Sequence, residues 1–145
     1  MFDKTNAPAQ ADLAAFVLRV SLGVMFLAHA GLKVFVFTPA GAAAFFASLG
    51  LPGELAYATI AAETLAGAAL ILGVGSRIAA LATLPILIGA ILFVHGPNGW
   101  LFSNPNGGWE FPAFWAAALV AQALLGDGAY ALSRRFARAP QTALA

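Results

Sequence analysis

Polar residues interrupt this chain rarely, and where they do they divide it into four long apolar stretches. The first runs over about residues 13–36, the second over 55–72, the third over 78–94, and the fourth over 111–125 with an extension toward 132. A bilayer-crossing helix needs roughly 20 apolar residues, so each stretch reaches or approaches a membrane span. The stretches are rich in Ala and Leu and show none of the short alternating segments of a membrane barrel. They predict an all-α membrane protein, a four-transmembrane-helix bundle.

The breaks support that division. Gly73, Gly75 and Ser76 make a tight turn between the second and third spans. "HGPNGWLFSNPNGGWE", residues 95–110, is a turn-rich loop between the third and fourth. Between the first and second, Thr38 suits a cap, Pro39 a first helical position and Gly50 a helix stop, which predicts a short interfacial helix over 39–49. Pro85 is expected to kink the third span, which neighbouring helices tolerate. Residues 1–12 read as a cytoplasmic N-terminal tail, 13–132 as one membrane domain and 133–145 as a basic, flexible C-terminal tail. No internal repeat or second domain is visible.

Composition agrees with this picture. The chain is 61% hydrophobic and 9% charged, with mean hydropathy +0.87. Soluble domains are about 45–50% apolar and about 25% charged. A net charge of +1 argues against nucleic-acid binding. The absence of cysteine excludes disulfides, thiolate metal sites and a thiol relay within the chain. Lys4, Arg77, Arg134, Arg135 and Arg138 fall on one side of a four-span arrangement and Lys33 alone on the other. That bias predicts both termini in the cytoplasm, in a multi-pass protein of the inner membrane, with Trp100 and Trp109 at the outer interface. Arg77, Arg134, Arg135 and Arg138 also suit anionic-lipid contact. Span 1 is longer than a signal peptide's apolar region and contains Arg19, His29 and Lys33, so cleavage is not expected.

Charge inside the spans is the feature that asks for a function. At 1.5 Å per helical residue, His29 lies roughly 10 Å below the outer end of span 1 and Glu63 roughly 12 Å below that of span 2. This depth count sets His29 level with Glu63 and leaves Lys33 at the rim, where it can snorkel. Arg19, roughly 25 Å down, is too deep to meet Glu63. His29, Lys33, Glu63 and His95, with Glu110 above them, form a candidate polar pocket opening outward. Such a pocket suits a quinone head group, a metal or a small polar substrate, with Glu63 and His29 moving protons. The competing reading is a buried ion pair that only locks the helices. His29, Glu63 and His95 lack the local spacing of a metal site, so no metal ligands are assigned. Arg19, Gln122 and Asp127 read as a structural charge tie in the inner half. No phosphate-binding loop, activated serine or pair of His one helical turn apart is present, and the chain is too short for an inverted-repeat transporter unless it oligomerises.

An Arg early in span 1, "LGVMFLAHAGLKVF", "FFASLGLPGELAYATIAAETLAGAALILGVGSRIAAL" and a His closing span 3 together resemble the DoxX family of small membrane proteins. The resemblance covers about residues 13–132. Its most specific parts are His29 with Lys33, "LGLP" at 49–52, and Glu63 with Gly67 and Gly73. The family often has Gly where Ala30 follows His29 here. The resemblance implies a four-helix membrane fold and a link to redox chemistry, since the family takes its name from a subunit associated with thiosulfate:quinone oxidoreduction. It points to a membrane subunit of a quinone-linked or oxidative- or sulfur-stress system, with a redox partner protein or further copies of itself. Quinone is the first cofactor candidate, ahead of haem or metal. The rivals are a non-catalytic structural or adaptor protein and a small oligomeric transporter.

Overall fold

The computed structural model describes residues 7–137, which contain helices and no strand. Helix α1 spans Ala7–Gly31 and continues as a widened π-helical turn over Leu32–Val36, closed by the Phe37 N–H donating to the Leu32 carbonyl at 2.9 Å. Helix α2 is Pro39–Ser48 and α3 is Leu55–Leu72. Helix α4, Ser76–Gly89, runs through Pro85 and also ends in a π-helical turn, Ala90–His95. Helix α5 is Glu110–Leu125 and α6 is Leu132–Ala137.

Local chemistry sets these boundaries. The Thr38 hydroxyl accepts from the Gly41 N–H at 3.2 Å and Pro39 fills the first turn of α2, so one donor is capped and another never exists. Gly50, at φ +79°, ends α2 in a left-handed turn, with the Leu51 N–H returning to the Phe46 carbonyl at 3.1 Å. Gly73, at φ +69°, stops α3 in the same manner. The first N–H of α4, on Ser76, is capped from outside the helix by the Asp127 carboxylate at 2.9 Å.

Helix α1 packs on α3 and α5, and α4 packs on the same two. Their shared core holds Leu22, Phe26, Leu70, Leu87, Trp115 and Leu119. Helices α1 and α3 approach closely at Gly23 and Gly67: a Cβ on Gly23 would stand 2.7 Å from the Gly67 carbonyl oxygen. Helix α2 rests on α3 and on the widened turn of α1. The outward surface is apolar; Phe35, Leu65, Ile78, Phe114 and Leu124 are all more than 70% exposed. A surface of that kind suits lipid, where it needs no polar cover.

Three segments are long and apolar enough to cross a membrane: Ala7–Val36, Leu55–Leu72 and Ser76–Asn98. At 16 residues, α5 is shorter, about 24 Å by the helical rise. The sequence pattern misplaces some ends. Helix α1 begins before residue 13, and α5 stops at Leu125 because Gly126 takes φ +79° and breaks the helix short of 132. Residues 133–137, expected to be flexible, are helical, and Arg134 pairs bidentately with Asp12 at 2.6 and 2.7 Å. Lys4 and Arg138, both counted in the charge bias, lie outside the described residues, as do the remainders of the two expected tails.

Candidate functional site

In the half of the structure that holds the Lys33 and His95 turns, the four long helices do not close on one another. They leave a cavity of about 960 Å³. Helix α2 lies along it with Phe45, Phe46 and Leu49, and Phe93, Phe111 and Trp115 supply much of the remaining wall. Into this apolar space the structure brings His29, Lys33, Glu63 and His95.

Lys33 and Glu63 are joined. The Lys33 ammonium donates to both carboxylate oxygens of Glu63, each at 2.9 Å. The side chains are 19% and 4% exposed, so the pair is largely withdrawn from solvent. This corrects the depth count, which set His29 against Glu63 and Lys33 at the rim. Side chains on a helix lean toward its N-terminus. On α1 that direction is inward, so the four-carbon Lys33 stem reaches back one turn, and its ammonium also lies 3.5 Å from the His29 carbonyl. A count of Cα positions does not capture that lean. His29 instead packs its ring edgewise on Trp115, with centroids 4.9 Å apart.

His95 is fixed from two sides. Its Nδ1 is 3.0 Å from the Gly107 carbonyl, and its ring meets Phe111 edgewise at 5.1 Å. A carbonyl oxygen only accepts, so Nδ1 carries the proton in this contact. Glu110 stands apart from the other four. It starts α5, its Oε1 accepts from the Phe102 N–H at 2.7 Å, and it borders a smaller recess of about 500 Å³ beside Trp100 and Phe114. Its place in the pocket is therefore corrected to a loop anchor. Among the described residues no three His, Asp or Glu side chains gather as a metal-ligand set.

The opposite half, where α1 begins, holds the second cluster. Arg19 is fully buried and donates to four carbonyls: Leu70 at 2.8 Å, Ile71 at 2.5 Å, Asp127 at 2.9 Å and Ala129 at 3.0 Å. Arg19 thus ties α1 to the end of α3 and to the segment after α5, away from Glu63. The Asp127 partner is its backbone oxygen; its carboxylate caps α4 and accepts from the Ser133 hydroxyl at 2.6 Å. Gln122 donates to the Gly126 carbonyl at 2.7 Å and takes no direct part in the Arg19 tie. Burial pushes the Asp127 carboxyl up, but the Ser133 and Ser76 hydrogen bonds and the Arg19 charge outweigh it and hold the group below its usual range.

Two contributors were not legible in the sequence. The π-helical turns that carry Lys33 and His95 have no residue signature, although such widened turns recur at functional sites. Trp115, which holds His29, sits in an apolar run where nothing distinguishes it from a lipid-facing aromatic.

The DoxX family model matches residues 14–96. The matched segment contains His29, Lys33, Glu63 and His95, and leaves α5 outside. A Bacillus subtilis (strain 168) protein named "Putative oxidoreductase CatD" is 36% identical over 83 residues, which are 57% of this chain and 60% of that protein. The match thus spans less than two thirds of that relative's length. No solved structure matches the chain.

Proposed function

This chain belongs to the DoxX family, and from that premise we propose that it is an inner-membrane subunit of a redox system whose cavity receives a quinone. One observation carries the reading. A cavity of about 960 Å³ is walled by aliphatic and aromatic side chains and contains one ammonium, one carboxylate and two imidazoles. A quinone has the same division, with an apolar ring and tail and two oxygens that need hydrogen-bonding partners. Mostly apolar pockets with a few placed polar groups are the usual form of a small-molecule site. The name of the Bacillus relative, an oxidoreductase, agrees in chemistry. With no cysteine in the chain, sulfur chemistry would belong to a partner protein or to the substrate.

In this reading α5 is the fourth crossing, both termini face the cytoplasm, and the cavity opens outward. Arg77, Arg134 and Arg135 lie at the end of the molecule where α1 begins, which supports that orientation. Single cysteines introduced at Ser103 and Ser133 test it with an impermeant thiol reagent on whole cells, because the chain has no cysteine background. Labelling at Ser103 alone is expected.

The quinone reading is tested on protein purified in detergent. Solvent extraction should recover quinone, or an added short-chain benzoquinone should bind saturably. Neither outcome appearing overturns it. A second reading, a structural or adaptor protein, is favoured by the Lys33–Glu63 pair itself, which ties α1 to α3 whatever the cavity holds. A transporter built from several copies remains a third, and liposome flux tests it.

A further inference from the structure

We infer that the cavity is built to prefer a ligand bearing a hydroxyl, the reduced quinol form, over the same ring without one, and that His95 sets the preference. The inference rests on the quinone reading and adds the state of the ligand. It follows from counting donors and acceptors. Lys33 offers only N–H donors. Both Glu63 oxygens are engaged by Lys33, and the Glu63 side chain is 4% exposed, so it presents little surface to a guest. His29 has neither ring nitrogen held by a protein partner among the described residues; it can turn either face of its chemistry to a ligand and sets no preference.

His95 is different. The Gly107 carbonyl takes the Nδ1 proton, so a neutral His95 has a bare lone pair at Nε2. That nitrogen has no protein partner among the described residues and is not among their sealed, unpartnered polar atoms, and His95 is half-buried and lines the cavity. The carbonyl is itself held in place. Gly107 O also accepts from the Asn98 side chain at 3.0 Å, and Asn98 Nδ2 reaches the carbonyls of Val94 and Asn106 as well. Phe111 braces the ring face. The acceptor is thus held from two directions before any ligand arrives. A ligand O–H satisfies it; a carbonyl or ether oxygen sets lone pair against lone pair. Sites built to hydrogen-bond a substrate hydroxyl discriminate strongly against analogues that lack it, because their own polar group is left unpaired.

The experiment compares three probes on the detergent-purified full chain under anaerobic conditions: a decyl-substituted benzoquinol, its quinone, and its dimethyl ether. The quinol should bind at least about tenfold more tightly than the other two. His95→Asn keeps an N–H near the Nδ1 position for the Gly107 carbonyl and leaves no atom at the Nε2 position, its own Oδ1 falling near the former ring Cδ2, so all three probes should then bind within about threefold of one another. Equal binding of the three by the unaltered protein overturns the inference and leaves the quinone reading standing. A preference that survives in His95→Asn also overturns it. Failure of all three probes to bind overturns both. The comparison on the unaltered protein decides the matter even if the variant does not fold.

Discussion

The Lys33 ammonium stands 2.9 Å from each carboxylate oxygen of Glu63, bridging α1 and α3 on the cavity side of their glycine crossing. Two opposite charges withdrawn from solvent tolerate joint replacement better than single replacement, because a lone partner is left uncompensated. Glu63→Ala should therefore cost about 3–5 kcal/mol, and Lys33→Met a similar amount. The double variant Lys33→Met/Glu63→Leu should recover most of that loss. Thermal unfolding in detergent measures the three. The double variant also separates the two readings of the pair: if it folds and still binds the quinone probe as the unaltered protein does, the pair serves the fold alone.

The crossing beneath the pair makes a sharper packing prediction. A Cβ on Gly67 would lie 2.9 Å from the Gly23 carbonyl oxygen, and one on Gly23 would lie 2.7 Å from that of Gly67. Backbone on both sides cannot rotate away, so Gly23→Ala and Gly67→Ala should each destabilise by about 1–3 kcal/mol, the usual cost of overpacking. Gly89→Ala is the control. Nothing lies within 4 Å of its Cβ, and in a helix the change gains up to about 1 kcal/mol of propensity. Melting curves in one detergent rank the three.

The sequence made these faces readable for a physical reason. On α1 and α3, helical spacing puts Arg19, Gly23, Phe26, Ala30 and Lys33 in one sector and Ala56, Thr59, Glu63, Ala66 and Gly67 in another; all are buried except Lys33 and Thr59, which are half-buried. Periodicity reports which way a helix faces, so it placed the interior and the polar residues in it. It does not report reach along the axis, and the Lys33 side chain defeated the depth count for that reason. Nor does it report hydrogen-bond register, so the π turns at 32–36 and 90–95 stayed hidden. Glu110 falls at the end of the turn-rich stretch 95–110, where no periodicity shows which way a residue faces; it is the first residue of α5, and its carboxylate turns to the Phe102 N–H instead.

Arg19 should resist its conservative replacement. The planar guanidinium serves carbonyls on two separate segments, Leu70 and Ile71 on one side and Asp127 and Ala129 on the other. A lysine has one compact ammonium and cannot span them. Arg19→Lys should lose about 3 kcal/mol, most of it from buried carbonyls left without donors. Proteolysis at the 126–131 segment, which Arg19 anchors, should rise in parallel.

Acid should weaken the end of the molecule where the Asp127 carboxylate caps α4. The folded Asp127 carboxyl lies below the ordinary value of 3.8 that it would have in the unfolded chain. Its contribution is therefore complete above that value and is lost as pH falls through the folded one. The melting temperature should drop as pH falls below about 4 and on through the folded value. Asp127→Asn should start lower and fall less steeply over the same interval. Parallel slopes for the two proteins would remove Asp127 from the account.

Helix α2 is the wall of the cavity best placed to move. It buries only Ala42, and both of its ends have backbone that side chains avoid: Thr38 at φ +61°, a β-branched residue in a region costing on the order of 1–3 kcal/mol, and Gly50 at φ +79°. A Cβ built on Gly53 lies 3.6 Å from that of Ala43, inside the range of about 3.5–4.5 Å seen across disulfides. With no native cysteine, Ala43→Cys/Gly53→Cys offers a single bridge that fastens α2 to the turn before α3. Oxidised, the variant should take up and release a bound quinol about tenfold more slowly, with affinity unchanged, and a reductant should restore the rates. A bridge that locks a moving wall alters passage and leaves the closed cavity as it was, so the rates change and the affinity does not. Equal rates before and after reduction would make α2 a fixed wall.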